Sequence, residues 1–93
     1  MKNSVLVEDM EHCVVCGKDA IHRHHVFEGT ANRKTSDKYG YWIPLCHRHH
    51  NGSQEAIHFN KNLDLEWKRR AQKHYELTHT RQEFIQEFIR SYL

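Results

Sequence analysis

The sequence predicts a small α+β domain in which two short strands lead into two amphipathic helices, and three observations carry that reading. Ten histidines and three cysteines occur in 93 residues, with eight of the histidines and every cysteine between positions 12 and 58. Residues 21–27 and 41–45 have strand-like composition and flank a polar segment bounded by glycines. Farther on, Leu63, Trp67, Ala71 and Tyr75 recur every fourth residue, which places them on one helical face.

Composition limits what else the chain can be. A single domain spanning residues 1–93 buries a limited core, so a metal or a partner often completes its stability. Hydrophobic residues make up 38%, charged residues 28%, and mean hydropathy is −0.91, which is polar for a folded domain. Two Trp, four Phe and four Tyr are nevertheless too many large aromatics for a disordered chain. Net charge is only +2, which is compatible with nucleic-acid binding without arguing for it. Three cysteines cannot all pair as disulfides, and no apolar leader or long apolar run is present. The expectation is a cytoplasmic protein that is neither secreted nor membrane-bound, whose thiolates serve as metal ligands.

The elements follow in order. Val5, Leu6 and Val7 lie in an N-terminal arm or short strand. Cys13 and Cys16 form a knuckle that Gly17 lets turn back. In the strand at 21–27, alternation sets His22 and His24 on one face and Arg23 and His25 on the other. Residues 28–40 read as a polar loop containing Arg33, Lys34 and Lys38. The second strand, 41–45, contains Pro44, which confines it to an edge or a strand end. Residues 46–50 begin a helical turn that Asn51, Gly52 and Ser53 interrupt. These parts make a metal-bound core at 12–60, and residues 62–93 form two helices. Asn62 is the expected cap of the first, with Asp64 and Glu66 in its opening turn. Thr80 and Glu83 make a capping box for the second, whose apolar face carries Phe84, Ile85, Phe88, Ile89, Tyr92 and Leu93. The Phe84–Phe88–Tyr92 stripe reads as core against the Trp67 helix. A dimer interface is the alternative, so monomer and homodimer both stay open.

Cys13-x-x-Cys16 is answered by Cys46-x-x-His49 after a hairpin-length gap. Two closely spaced pairs of N/S ligands are what a tetrahedral structural Zn²⁺ requires. A redox pair at Cys13 and Cys16 would instead call for a thioredoxin-like βαβ pattern, which the chain lacks. With those four assigned, His24, His25, His50 and His58 are left near the same knuckle. Three imidazoles around one divalent ion leave open positions for a phosphate oxygen and a water.

Cys13-x-x-Cys16, His24-His25-Val26, the segment from Trp42 to Cys46, Cys46-x-x-His49-His50 and Ile57-His58 together resemble the HNH endonucleases, over about residues 12–60. The resemblance implies a zinc-stabilised ββα-metal motif followed by two C-terminal helices. It makes His25 the general base and His24, His50 and His58 ligands of a second divalent cation, Mg²⁺, Mn²⁺, Zn²⁺ or Ni²⁺. Arg33-Lys34 before Tyr39-Gly40, with the helical tail, also looks like small phage-associated HNH proteins similar to the RecA-dependent recombination-enhancement nuclease. That likeness implies DNA as the partner, with a recombinase filament as a second.

The pattern departs from the family twice. Tyr41 stands where an asparagine usually orients the base, which leaves a backbone carbonyl, Asn32, Asn51 or Asn60 for that task. His50 and His58 are eight residues apart rather than one helical turn, so the chain from 51 to 56 must bulge outward. The activity implied is hydrolysis of a DNA phosphodiester, with His25 taking a proton from water. Arg23, Arg33, Lys34 and Arg48 are the candidate phosphate contacts. The basic run Lys68, Arg69, Arg70 and Lys73 reads as a solvated helix face. The rival reading is a catalytically inactive zinc-stabilised module that binds DNA or protein.

Overall fold

The computed structural model describes residues 2–52 and 56–93. Its elements are β1 (His22–His25), α1 (Thr30–Tyr39), β2 (Trp42–Leu45), a π-helical turn (Arg48–Gly52), α2 (Lys61–Tyr75) and α3 (Arg81–Phe88). The two strands pair antiparallel, with His22 opposite Leu45 and His25 opposite Trp42. The chain is thus a small α+β protein built on a two-stranded sheet. Among the described residues, no helix is long and apolar enough to cross a membrane.

The N-terminal segment is an arm rather than a strand. The Ser4 hydroxyl donates to the Trp42 carbonyl at 2.7 Å, the Trp42 indole donates to the Lys2 carbonyl at 2.8 Å, and Val5 N–H donates to Gly40 at 3.0 Å. Gly40 has φ +75, and a Cβ there would meet the Asn3 carbonyl at 2.5 Å, so glycine is required twice over. The knuckle closes through Cys13 N–H to the Lys18 carbonyl at 2.7 Å. It docks on the sheet when Val14 N–H donates to Pro44 at 3.1 Å. Proline, which has no N–H, still offers that carbonyl.

The main correction concerns residues 28–40, expected as a loop. Thr30–Tyr39 is helical and ends on left-handed Gly40. The segment lacks an apolar stripe because polar bonds seat it. Ser36 is fully buried, donating to the Phe27 carbonyl at 3.2 Å and accepting from the Phe27 N–H at 3.3 Å. Tyr39 and Tyr75 both donate to Glu87, which ties α1 to α2 and α3. Burial works to raise the Glu87 pKa, but the two phenols and nearby Lys38 outweigh it and hold the carboxyl below its usual range.

Two helix boundaries also differ. The cap of α2 is Asn60, whose side chain accepts from Leu63 N–H at 3.1 Å; Asn62 lies inside the first turn. Asp64 sits in that turn as expected, whereas Glu66 pairs with Arg70 at 2.6 Å one turn on. The capping box of Thr80 and Glu83 is formed. However, α3 stops at Phe88 because Ile89 turns to φ +80. The reversal lets Tyr92 N–H donate to Gln72 at 2.7 Å and the Tyr92 carbonyl accept from Arg69 at 2.9 Å. Buried Gln72 is thereby satisfied, which offsets the strain at a β-branched residue. Ile89 is 72% exposed and Ile85 and Leu93 are also exposed, so only Phe84, Phe88 and Tyr92 of the predicted stripe face inward. There Phe88 packs 4.4 Å from Phe27 and 4.7 Å from Phe84, ring centre to centre.

Candidate active site

Cys13, Cys16, Cys46 and His49 converge, their ligand atoms all within 4.8 Å of one another. Ligands at about 2.3 Å from a tetrahedral Zn²⁺ stand about 3.8 Å apart, somewhat less for a sulfur and a nitrogen. The observed separations are 3.7 Å for Cys16 to Cys46, 3.3 Å for Cys46 to His49 and 3.8 Å for Cys13 to His49. The four side chains could therefore hold a metal ion such as zinc. The knuckle also prepares its thiols. Burial alone would raise the Cys13 pKa, but backbone N–H groups of Cys46, Cys16 and Val15 outweigh it and lower the value. At Cys16 the Lys18 N–H works downward, while burial and the Cys46 and Cys13 sulfurs prevail and raise it.

On the other side of the His49–His50 peptide a second cluster forms. His24 comes from β1, His50 from the π-helical turn and His58 from the segment before α2, and their ligand atoms lie within 4.8 Å of one another. His50 Nε2 and His58 Nε2 are 3.3 Å apart, despite the eight intervening positions. The connecting bulge falls partly at 53–55, outside the described residues. His24 is 3% exposed and its Nε2 has no hydrogen-bond partner, nor has buried His50 Nδ1. Burial first, then His58 and His50, push the His24 pKa down to about 3. Burial followed by His22 and His58 takes His50 down to about 4. Both rings are neutral at pH 7 with lone pairs available, as metal ligation requires.

His25 lines the same cavity of about 270 Å³ as His24, His50 and His58, together with Arg23, Arg33 and Glu28. Its Nε2 donates to Asp37 Oδ1 at 2.7 Å. A carboxylate at Nε2 keeps the proton there and leaves Nδ1 as the ring's acceptor. Asp37 thus bonds His25 where sequence reasoning expected a backbone carbonyl or an asparagine. Asn60 is occupied as the α2 cap, Tyr41 is buried in the core with its hydroxyl 3.2 Å from His74 Nδ1, and the Asn51 side chain lies outside the described set. Asp37 escaped notice because its segment read as a loop. In the last turn of α1 an acid opposes the helix dipole, and that misfit would have marked it had the helix been recognised.

Of the four proposed phosphate contacts, Arg23 and Arg33 line the cavity, whereas Lys34 and Arg48 are exposed beyond its lining. The Arg23 guanidinium also lies over Trp42, 4.9 Å from the ring centre. Three members of the basic run on α2 are engaged within the chain, Lys68 on Asp64 at 2.7 Å, Arg70 on Glu66 and Arg69 on Tyr92, while Lys73 is exposed. Sequence reasoning also passed over His22, whose ring lies 4.6 Å from that of His50, and the carboxylates Glu28 and Asp64 near His24.

No family model matches the chain, and no curated protein or solved structure does.

Proposed function

We propose that the protein is a metal-dependent endonuclease of the HNH, ββα-metal kind that hydrolyses phosphodiester bonds in DNA, serving phage recombination or DNA processing. The observation that carries this reading is that His25, hydrogen-bonded to Asp37, lines the same cavity as the three-histidine cluster. A base held by a carboxylate beside a cluster of imidazole ligands is the arrangement that water activation needs.

In this reading Cys13, Cys16, Cys46 and His49 hold a structural zinc, which joins the knuckle to the π-helical turn and so sets His50 in place. His24, His50 and His58 hold the second divalent cation, which when bound supplies Lewis-acid stabilisation of charge on the phosphate. The fit rests on the buried His24 Nε2, which has no hydrogen-bond partner, and on the 3.3 Å approach of His50 and His58. His25 Nδ1 removes the proton from water while Asp37 keeps Nε2–H in place and balances the imidazolium that forms. Arg23 and Arg33 bring positive charge to the cavity mouth for the scissile strand, with Lys34 and Arg48 extending the contact along the backbone.

A nicking assay on supercoiled and single-stranded DNA with Mg²⁺, Mn²⁺, Zn²⁺ or Ni²⁺ tests the proposal. The parent should cleave with at least one ion, and His25→Ala should lose about 10²-fold or more at unchanged metal content. A parent that leaves both substrates intact with every ion refutes it.

A further inference from the structure

His24 belongs to two ligand sets at once. One joins it to His50 and His58, the other to Glu28 and Asp64, and within each set the ligand atoms lie within 4.8 Å of one another. Glu28 sits in the connection between β1 and α1, its Oε1 3.9 Å from His24 Nε2 and 3.6 Å from His58 Nδ1. Asp64 comes from the first turn of α2, where its Oδ2 also accepts from Lys68 at 2.7 Å; a carboxylate has lone pairs enough for a second partner. His24 is almost fully buried, and its Nε2 has no hydrogen-bond partner to compete with a cation.

An imidazole nitrogen has one lone pair and serves one cation at a time. The two sets differ in chemistry as well. Three imidazoles suit borderline ions such as Ni²⁺ and Zn²⁺, whereas one imidazole with two carboxylates suits harder, oxygen-preferring Mn²⁺ and Mg²⁺. Glu28 changes role between them. In the first it faces His58 Nδ1 as a carboxylate orienting a ligand ring; in the second it becomes a ligand itself.

We propose that His24 Nε2 anchors two mutually exclusive cation positions, one toward His50 and His58 for borderline ions and one toward Glu28 and Asp64 for hard ions. The inference rests on the three-histidine site proposed above, and it places carboxylates in the metal chemistry of this chain. The ion that the protein meets then decides which side of the cavity carries the positive charge.

The test is direct cation binding to the full-length, zinc-loaded protein, with Mn²⁺ followed by electron paramagnetic resonance and Ni²⁺ by calorimetry. Glu28→Gln and Asp64→Asn should each weaken Mn²⁺ about tenfold or more and leave Ni²⁺ nearly unchanged. His50→Ala should do the reverse, and Ni²⁺ should displace Mn²⁺ one for one. His24→Ala should lose both ions. Parallel losses of the two ions in every variant, simultaneous binding of both, or carboxylate variants with parental Mn²⁺ affinity would overturn the proposal. A parent that binds Ni²⁺ but not Mn²⁺ overturns it while sparing the three-histidine site. Parental Ni²⁺ binding in His24→Ala overturns that site as well. Circular dichroism and retained zinc verify folding; if Asp64→Asn loosens α2, half-exposed Glu28→Gln carries the test alone.

Discussion

Replacing Asp37 by alanine removes a partner of the proposed base and touches none of the candidate metal ligands. The hydrogen bond is short, 2.7 Å, and involves an ionised carboxylate, with His25 18% and Asp37 42% exposed. Charge-assisted bonds of this kind contribute about 1.5–3 kcal/mol when sheltered. Partial exposure of Asp37 places this one toward the lower end. At about 1.4 kcal/mol per tenfold in rate, kcat for DNA cleavage should fall roughly 10- to 30-fold. KM and metal content should hardly move, because the carboxylate acts on the base and not on substrate or ion. Asp37→Asn should retain part of the rate, since an amide oxygen still accepts from Nε2–H without balancing the imidazolium. The assay is single-turnover nicking at saturating metal, alongside thermal melts that report folding. Rates within twofold of the parent for Asp37→Ala, with the fold intact, would refute the argument that this carboxylate positions His25.

If Cys13, Cys16, Cys46 and His49 hold zinc as proposed, stripping it should unfold the chain. Structural zinc binds with about 10–16 kcal/mol, against the ~5–14 kcal/mol of total stability that a 93-residue domain commands; a chelated, metal-free protein with an unmoved Tm would contradict this. Glu87→Gln should destabilise by about 1–2 kcal/mol at pH 7, because Tyr39 and Tyr75 lose their charged acceptor. The folded carboxyl is held below its ordinary value, so its contribution is complete above about pH 4.3 and lost as pH falls through the folded pKa. Melts of parent and variant should therefore converge in acid, and a gap constant from pH 7 to pH 3 would count against it. Gly40→Ala should cost about 1–3 kcal/mol in urea unfolding at constant m-value, since the new Cβ meets the Asn3 carbonyl at φ +75; an unchanged midpoint would show the arm to be unattached.

The features legible in the sequence are those whose cause is local. Cys13-x-x-Cys16 and Cys46-x-x-His49 mark a candidate metal site by ligand type and spacing, and the capping box at Thr80 and Glu83 needs only four consecutive residues. The four-residue recurrence of Trp67, Ala71 and Tyr75 names the buried face of α2 before any partner is known. The grouping of His24 with His50 and His58 was expected from the resemblance to the HNH endonucleases, since no periodicity links them. The rest depends on contacts between distant segments. Residues 30–39 have no apolar stripe, and they become a helix because Ser36 and Tyr39 find acceptors in Phe27 and Glu87. Once that helix forms, Asp37 meets a histidine twelve residues away. Likewise Ile89 ends α3 because buried Gln72 draws Tyr92 back toward α2. Polar bonds across the fold are directional and sparse, so they leave no period in the chain. The residue that holds the proposed base and the carboxylates that flank His24 were settled by such tertiary contacts.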